Sequence, residues 1–198
     1  MDTNLTEIIF LLDRSGSMAG LEDDTIGGFN AFIDKQKRLK GKTIVTTVLF
    51  DHEYEILWNG VDANEIKLTD KEYYVRGSTA LLDAVGKTIV DVNHRLAKTN
   101  EDEKPGQIIF IITTDGMENS SHEFTYKKIK QLIKHQQEKY DWKFIFLGAN
   151  IDTGKEADNI GIHKNNAYSF EASESGVQHM YDVVHDSVSE MRKDYRKK

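Results

Sequence analysis

The 198-residue sequence contains no cysteine and only one proline. The absence of cysteine excludes a disulfide framework, a thiolate metal site and a cysteine nucleophile. The chain also lacks a linker-like segment and an internal repeat. A chain of this length can bury a substantial core, so we expect a single domain over residues 1–198.

Long hydrophobic runs are also missing. No stretch approaches the roughly 18 apolar residues that a membrane-spanning helix needs. The first seven residues lack the basic start of a secretory signal, and the apolar run at residues 8–12 is too short to be one. We therefore expect a cytoplasmic protein that makes no contact with a membrane.

Positive charge is scarce, and the formal net charge is −7. Nucleic-acid binding requires clustered Lys and Arg, so this balance argues against it. One basic cluster closes the chain, formed by Arg192, Lys193, Arg196, Lys197 and Lys198. Cations suit the carboxyl end of a helix, and we expect this cluster to be a solvated helix end.

Apolar runs predict the strands. Residues 7–12 and 107–113 are continuous apolar runs, typical of central parallel strands buried on both faces. Residues 43–50 and 54–58 are β-branched and apolar, and the short gap between them indicates an antiparallel hairpin. Two further strands are predicted at residues 142–147 and 167–170.

Helical spacing of apolar residues predicts helices between these strands, at residues 25–39, 79–96, 126–140, 156–160 and from 177 to 191. Strands alternating with helices indicate an α/β fold: an open, mostly parallel central sheet with helices on both faces and one antiparallel edge strand. Ligands of such sheets bind outside the carboxyl ends of the strands, so we look for chemistry just after each buried strand.

Small polar side chains occur in three glycine-containing loops at these places. Asp13, Ser15 and Ser17 follow the first strand, Thr79 stands at the start of a helix, and Asp115 follows the strand at 107–113. Hydroxyl and carboxylate oxygens suit a hard cation such as Mg²⁺, which often keeps several waters. An ion held by only two carboxylates stays partly uncompensated and can accept an acidic ligand from outside.

A structural interpretation exists for each residue alone. Ser17 or Thr79 by itself would be read as a helix cap. The three loops together, in this order, favour a metal site. For Asp83 we expect a supporting hydrogen bond to the loops rather than ligation, and for Glu118 and Asn119 a cap on the next helix rather than a place on the rim of the site.

Two other features have no functional interpretation. The seven histidines are scattered without ligand spacing, which argues against zinc. Gly27 and Gly28 interrupt a helical pattern, where glycine costs stability relative to alanine, so we expect close packing or a helix irregularity there.

At the three loops the sequence resembles the von Willebrand factor type A domain family. Asp13, Ser15 and Ser17 fit its Asp-x-Ser-x-Ser signature, Thr79 its downstream threonine, and Asp115 its later aspartate. The resemblance covers essentially the whole chain, because the family fold has the same alternation of strands and helices. The sequence is most similar to those of small, single-domain bacterial members.

The resemblance implies a metal-ion-dependent adhesion site. Ser15 and Ser17 would bind the ion through their hydroxyls, and Thr79 directly or through water. Asp13 and Asp115 would act largely through water or through hydrogen bonds to the ligating hydroxyls. The implied ion is Mg²⁺ or Mn²⁺, with Ca²⁺ as an alternative, and the implied partner is a protein that presents an Asp or Glu carboxylate.

Two other functions stay open. A magnesium-dependent phosphohydrolase would use Asp13 as nucleophile, but it needs a second carboxylate two residues later, where this chain has Ser15. The phosphate-binding loop motif and the Gly-x-Ser-x-Gly elbow are both absent from the sequence. The other alternative is a structural domain with a vestigial ion. We expect a binding module that is not an enzyme; the sequence leaves its oligomeric state open.

Overall fold

The computed structural model describes residues 1–197. Its strands are β1 (Asp2–Asp13), β2 (Lys42–Phe50), β3 (Tyr54–Asp62), β4 (Pro105–Thr114), β5 (Lys143–Gly148) and β6 (Ala167–Ser169). Its helices are α1 (Glu22–Lys37), α2 (Leu81–Lys98), α3 (Tyr126–Tyr140), α4 (Thr153–Ile160) and α5 (Glu174–Tyr195). Two short 3-10 turns, Gly16–Met18 and Lys164–Asn166, complete the secondary structure of this part of the chain.

The six strands form one sheet in the order β3-β2-β1-β4-β5-β6. Every neighbouring pair is parallel except β2 and β3, which form the antiparallel hairpin at one edge. This confirms the predicted fold class. The chain leaves β1 towards β2 on one side, and β4 lies on the other side of β1. The strand order therefore reverses between β1 and β4, which is where such sheets bind ligands.

Both faces of the sheet are covered. Along β1, Ile8, Phe10 and Leu12 pack in a core beneath α1 and α5. Ile9 and Leu11 point to the opposite core, beneath α2 and α3. This alternation follows from the period of two along a strand, and it explains why β1 reads as a continuous apolar run. Within residues 1–197, no helix is both long and apolar enough to cross a bilayer.

β4 begins at Pro105, two residues before the apolar run at 107–113 that predicted it. Proline is tolerated as the first residue of a strand, since no ladder hydrogen bond is required from its nitrogen there. The strand pairs at this point with Asp2, so β1 also begins earlier than its apolar run. Polar residues extend both strands beyond the part that hydrophobicity reveals.

The prediction of a solvated helix end was wrong for Arg192, which is only 2% exposed. Its guanidinium donates to the side-chain oxygen of Gln36 at 2.9 Å and to the hydroxyl of Thr43 at 3.0 Å. The end of α5 is therefore anchored to α1 and β2. Lys193, Arg196 and Lys197 are exposed as expected, and Lys198 lies outside the described residues.

Candidate metal centre

The first loop of the candidate site follows β1. Asp13 is the last residue of that strand and is almost completely buried. Its Oδ1 accepts a hydrogen bond of 2.7 Å from the backbone N–H of Ser15, which turns the chain immediately after the strand. The 3-10 turn Gly16–Met18 then returns Ser17 towards Ser15, and the two hydroxyl oxygens lie 3.2 Å apart.

The second loop follows β4, the parallel neighbour of β1. Asp115 comes directly after this strand, and its Oδ1 accepts a hydrogen bond of 2.5 Å from the hydroxyl of Ser17. Thr114, the last residue of β4, donates from its hydroxyl to Asp13 Oδ2 at 2.6 Å. The carboxyl ends of adjacent parallel strands thus hold the two carboxylates beside the two serines.

The third loop precedes α2 and carries Thr79. It is tied to the first loop by a hydrogen bond of 3.0 Å from the backbone N–H of Gly16 to the carbonyl of Gly77. A Cβ placed on Gly116 would lie 3.3 Å from the hydroxyl oxygen of Ser17 and 3.4 Å from that of Thr79. Both hydroxyls therefore border the space that a glycine at position 116 leaves free. All five predicted site residues meet at one edge of the sheet.

The charged forms of the Asp13 and Asp115 carboxylates are destabilised by burial. Burial raises the pKa of Asp13 to about 6, against hydrogen bonds from Ser15 and Thr114 that lower it, and the negative charge of Asp115 raises it further. Burial likewise raises the pKa of Asp115. Asp115 Oδ2 is buried and has no hydrogen-bond partner among residues 1–197. Buried carboxylates of this kind call for a positive charge close by.

A divalent cation fits these donors. Neighbouring ligands of octahedral Mg²⁺, each about 2.1 Å from the ion, lie about 3.0 Å apart. The separation of 3.2 Å between the Ser15 and Ser17 oxygens is close to this spacing. Residues 1–197 hold no group of three or more His, Cys, Asp or Glu side chains that could bind a metal. An ion in this part of the chain would therefore depend on hydroxyls together with the two carboxylates, a set of oxygens that hard cations prefer.

Asp83 supports the site without belonging to it. Its carboxylate accepts hydrogen bonds from the backbone N–H groups of residues 122–124 at 2.9, 3.0 and 2.8 Å. These bonds hold the segment that follows Asp115 against the first turn of α2. They lower the pKa of Asp83, although burial acts to raise it. The predicted supporting role is confirmed.

Glu118 and Asn119 are structural, but they do not cap the next helix, so this detail of the prediction was wrong. Glu118 accepts a hydrogen bond of 2.9 Å from the backbone N–H of Leu82, and Asn119 accepts one of 2.9 Å from that of Thr79. Glu118 thus satisfies a free N–H group in the first turn of α2, the preceding helix, and Asn119 holds the loop just before that helix. The next helix, α3, is capped by Thr125. These residues contact the preceding helix rather than the next one because the loop after β4 lies beside the start of α2.

An ion-pair cluster beside the site was not predicted from the sequence. The carboxylate of Asp51, in the turn between β2 and β3, accepts hydrogen bonds from the guanidinium Nε atoms of Arg14 at 2.9 Å and Arg76 at 2.8 Å. Its backbone carbonyl accepts one of 2.8 Å from the N–H of Ala80. Asp51 thus connects the first and third loops. Arg14 occupies the variable second position of the Asp-x-Ser-x-Ser pattern, so the motif offers no signal for it.

Comparison with known proteins supports the fold through structure alone. No family model matches the chain, and no curated protein matches its sequence. Among solved structures, it is similar to proximal thread matrix protein 1 from the mussel byssus, solved with a zinc-occupied metal-ion-dependent adhesion site. The TM-score is 0.63 at 18% identity, over 95% of this chain and 47% of that chain.

Two shorter proteins are similar over most of their own length. The von Willebrand factor domain of the pili tip protein Mfa5 from Porphyromonas gingivalis matches with a TM-score of 0.65 at 11% identity, over 92% of this chain and 94% of that one. The manganese-loaded TRAP protein of Plasmodium vivax matches with a TM-score of 0.58 at 16% identity, over 91% and 73%. The chain spans about half the length of the mussel protein.

Proposed function

Because the chain has the fold of von Willebrand factor type A domains, we propose that it is a metal-dependent binding module. Asp13, Ser15, Ser17, Thr79 and Asp115 would hold one divalent cation, Mg²⁺ or Mn²⁺. A coordination position on the exposed side of the ion would take an Asp or Glu carboxylate from a partner protein. The bound ion would supply the positive charge that recognises this carboxylate.

The unpartnered, buried Oδ2 of Asp115 is the observation that carries this proposal. An uncompensated buried carboxylate oxygen costs folding free energy, and a cation would offset that cost. The distribution of exposure supports an open site. Asp13, Ser15, Thr79 and Asp115 are buried, while Ser17 and its neighbour Gly16 are exposed. An ion held between them would be shielded by protein on one side and accessible on the other.

The similar structures support a divalent cation in this fold. The mussel protein was solved with zinc in its adhesion site, and the Plasmodium protein was solved loaded with manganese. For this chain we favour Mg²⁺ or Mn²⁺ over zinc, because all candidate donors are oxygens and zinc prefers nitrogen and sulfur.

A phosphohydrolase is the less favoured alternative. Both carboxylate oxygens of Asp13 already accept hydrogen bonds, from Ser15 N–H and from the Thr114 hydroxyl. These bonds reduce the nucleophilicity that an aspartyl enzyme requires. Ser15 also stands where the second carboxylate would act as acid and base. We therefore propose a role in recognition rather than turnover.

The test compares the wild type with a Ser15→Ala/Ser17→Ala double variant. Calorimetric titration should show Mg²⁺ binding to the wild type and loss of that binding in the variant. A partner captured from native cytosol in Mg²⁺ should be released by EDTA, and replacing its contacting Asp or Glu by Asn or Gln should abolish capture. Magnesium-dependent phosphatase activity that the double variant lacks would instead establish the enzyme.

The cytoplasmic location and the bacterial origin expected from the sequence remain predictions. Fractionation of the source cells, followed by immunodetection of the chain, tests the location. Recovery in the soluble cytoplasmic fraction is the expected result.

A further inference from the structure

A second recess lies at the opposite end of the sheet from the candidate metal centre. It has a volume of about 400 Å³ and is lined by Thr3, Asn4, Lys40, Tyr195 and Arg196. These residues come from the start of β1, the loop between α1 and β2, and the end of α5. Thr3 and Asp13 are ten positions apart along β1, which places the recess about 30 Å from the metal centre.

The recess is a basic region on an acidic chain. Arg38, Lys42 and Lys193 are exposed on the segments that carry the two lining cations. Among residues 1–197, none of these three, nor Lys40 or Arg196, forms an ion pair with a carboxylate. No carboxylate side chain lines the recess either. This concentration of unpaired positive charge contrasts with the net charge of −7 for the whole sequence.

The fold brings the lining groups close together. A Cβ on Gly41 would lie 2.2 Å from Nη2 of Arg196 and 2.5 Å from the carbonyl oxygen of Asn4. The guanidinium therefore packs directly on the loop that carries Lys40. Gly41 also has a φ of +92°, in the region that favours glycine. The close approach of α5 to this loop thus depends on the glycine at position 41.

A purely structural explanation of the cations at this end is that they balance the partial negative charges at the carboxyl ends of α1 and α5. For α1, however, the buried Arg192 already does this. It donates to the backbone carbonyl of Gln36 at 3.3 Å and to its side-chain oxygen at 2.9 Å. Arg196 lies near enough to Arg192 to lower the pKa of that guanidinium, after the larger effect of burial. Neither Lys40 nor Arg196 is therefore required to balance the carboxyl end of α1. Both lie in a region that already contains other cations.

We propose that this recess binds a phosphate-type oxyanion, carried by a soluble phosphate ester or by a lipid headgroup. Lys40 and Arg196 would make charge-assisted hydrogen bonds to its oxygens, and the planar guanidinium suits two oxygens at once. The hydroxyls of Thr3 and Tyr195 and the side-chain amide of Asn4 would donate the neutral hydrogen bonds. The site is independent of the metal centre, and its ligand would occupy the other end of the molecule.

The experiment titrates inorganic phosphate into the ¹⁵N-labelled full chain in magnesium buffer, with ionic strength held constant by sodium chloride. Saturable amide shifts are expected at residues 3–4, 40–42 and 195–196. Residue resolution separates them from any shifts at residues 13–17 or 115–116, where phosphate could reach a bound metal. In the Lys40→Gln/Arg196→Gln variant the dissociation constant should rise at least tenfold.

A Lys67→Gln/Lys127→Gln variant is the matched control. It removes the same charge from two exposed lysines that form no ion pair among residues 1–197, and its dissociation constant should stay within twofold of the wild type. An equal loss in this control, or non-saturable shifts scattered over the surface, would overturn the proposal by showing general charge screening.

The source of the phosphate is identified in a second step, after phosphate binding is established. Vesicles of phosphatidylcholine with and without phosphatidic acid are sedimented with the wild type and with the Lys40→Gln/Arg196→Gln variant. Sedimentation that needs both phosphatidic acid and the two cations identifies a lipid headgroup. Absence of sedimentation identifies a soluble phosphate ester.

Discussion

Asp13 and Asp115 are carboxylates that the fold itself penalises. Each is buried at the end of a strand, and burial raises the pKa of both. The hydrogen bonds that Asp13 accepts from Ser15 and Thr114 orient its carboxylate but do not remove the cost of its charge. A group kept in an unfavourable state by its surroundings is a frequent sign of a functional site.

The first prediction concerns Asp13→Asn. The amide keeps an acceptor for the N–H of Ser15 but removes one of the two charges at the site, so we expect Mg²⁺ affinity to fall at least tenfold. The melting temperature in EDTA should be unchanged or higher, because a buried charge is lost. Calorimetry and thermal melts provide the measurements, and Asp70→Asn, at an exposed position, is the control. Undiminished affinity would show that Asp13 is not part of the site.

The raised pKa of Asp13 also predicts a pH dependence of the metal-free protein. Since the pKa of Asp13 is about 6 in the folded protein and ordinarily 3.8 for an aspartate, the folded state binds the proton more tightly. The stability from this group is complete below about pH 4 and is lost as the pH rises through 6; it amounts to about 3 kcal/mol. Melts in EDTA should therefore show that the stability of the wild type increases relative to that of Asp13→Asn as the pH falls from 7 to 4.5.

Magnesium should reverse this trend, because the ion and the proton compete for Asp13. The stabilisation by Mg²⁺ should shrink as the pH falls below about 6. A difference between wild type and Asp13→Asn that does not change with pH would contradict the assignment.

At the scale of elements, the turn between β2 and β3 fixes the metal loops. Burial alone would raise the pKa of Asp51, but hydrogen bonds from the N–H of Glu53 and from the guanidinium groups of Arg76 and Arg14 lower it. Arg14 is fully buried, and it carries this restraint from the turn to the loop after β1. The hairpin at the edge of the sheet is thus part of the structural support of the site.

We therefore expect Asp51→Asn to weaken Mg²⁺ binding several-fold although Asp51 is not a ligand. It should also destabilise the fold by about 1–3 kcal/mol, since buried Arg14 loses the buried one of its two charged partners. Glu55→Gln is the control. Glu55 also pairs with Arg14, but its side chain is 50% exposed, so a change below about 1 kcal/mol and an unchanged affinity are expected. Calorimetry and urea denaturation measure both quantities. Equal effects of the two substitutions would argue against the role of Asp51.

The packing of α1 on α5 explains one of the two adjacent glycines. A Cβ on Gly28 would lie 2.1 Å from a ring carbon of Tyr181, whereas one on Gly27 would meet nothing within 4 Å. Gly28 therefore admits the aromatic ring of α5, which confirms close packing at this position. Nothing in the structure requires glycine at position 27.

Opposite effects should follow from the two alanine substitutions. Gly28→Ala should destabilise the fold by about 1–3 kcal/mol, because the helices must move apart. Gly27→Ala should stabilise it by about 0.5–1 kcal/mol through helix propensity. Urea denaturation of both variants measures the difference. Changes of the same sign would show that the contact between Gly28 and Tyr181 is not limiting.

For the whole molecule, the ion would join three loops that are far apart in sequence. An ion that binds only the folded state raises the free energy of unfolding by about 2.7 kcal/mol at a hundred times its dissociation constant. For a chain of this length that corresponds to a rise in melting temperature of roughly 5–10 °C. Thermal melts across a magnesium series, with EDTA as reference, test this prediction. The Ser15→Ala/Ser17→Ala variant should show no rise, and a wild type equally insensitive to magnesium would contradict an accessible site.

The order and type of the secondary-structure elements could be predicted from the sequence alone. Apolar periodicity is a local property, so the strands, the helices and the antiparallel hairpin could be read without contacts; α3 was predicted with its observed bounds, Tyr126–Tyr140. The five candidate ligands could be found as well. Four of them lie at or just after the ends of two strands, which a parallel sheet brings together, and Thr79 stands just before a helix.

Contacts between groups that are far apart in sequence could be seen only in the folded structure. Asp51 accepts from Arg14 across 37 positions of sequence, and Arg192 reaches Gln36 across 156. The recess beside Arg196 is likewise built from both ends of the chain. Nothing local distinguishes such residues from solvated surface charges, because their burial and pairing result from how α5 and the β2–β3 turn pack against the rest. Hydrophobic pattern is written along the chain, whereas the partner of a charge is set by the folded geometry.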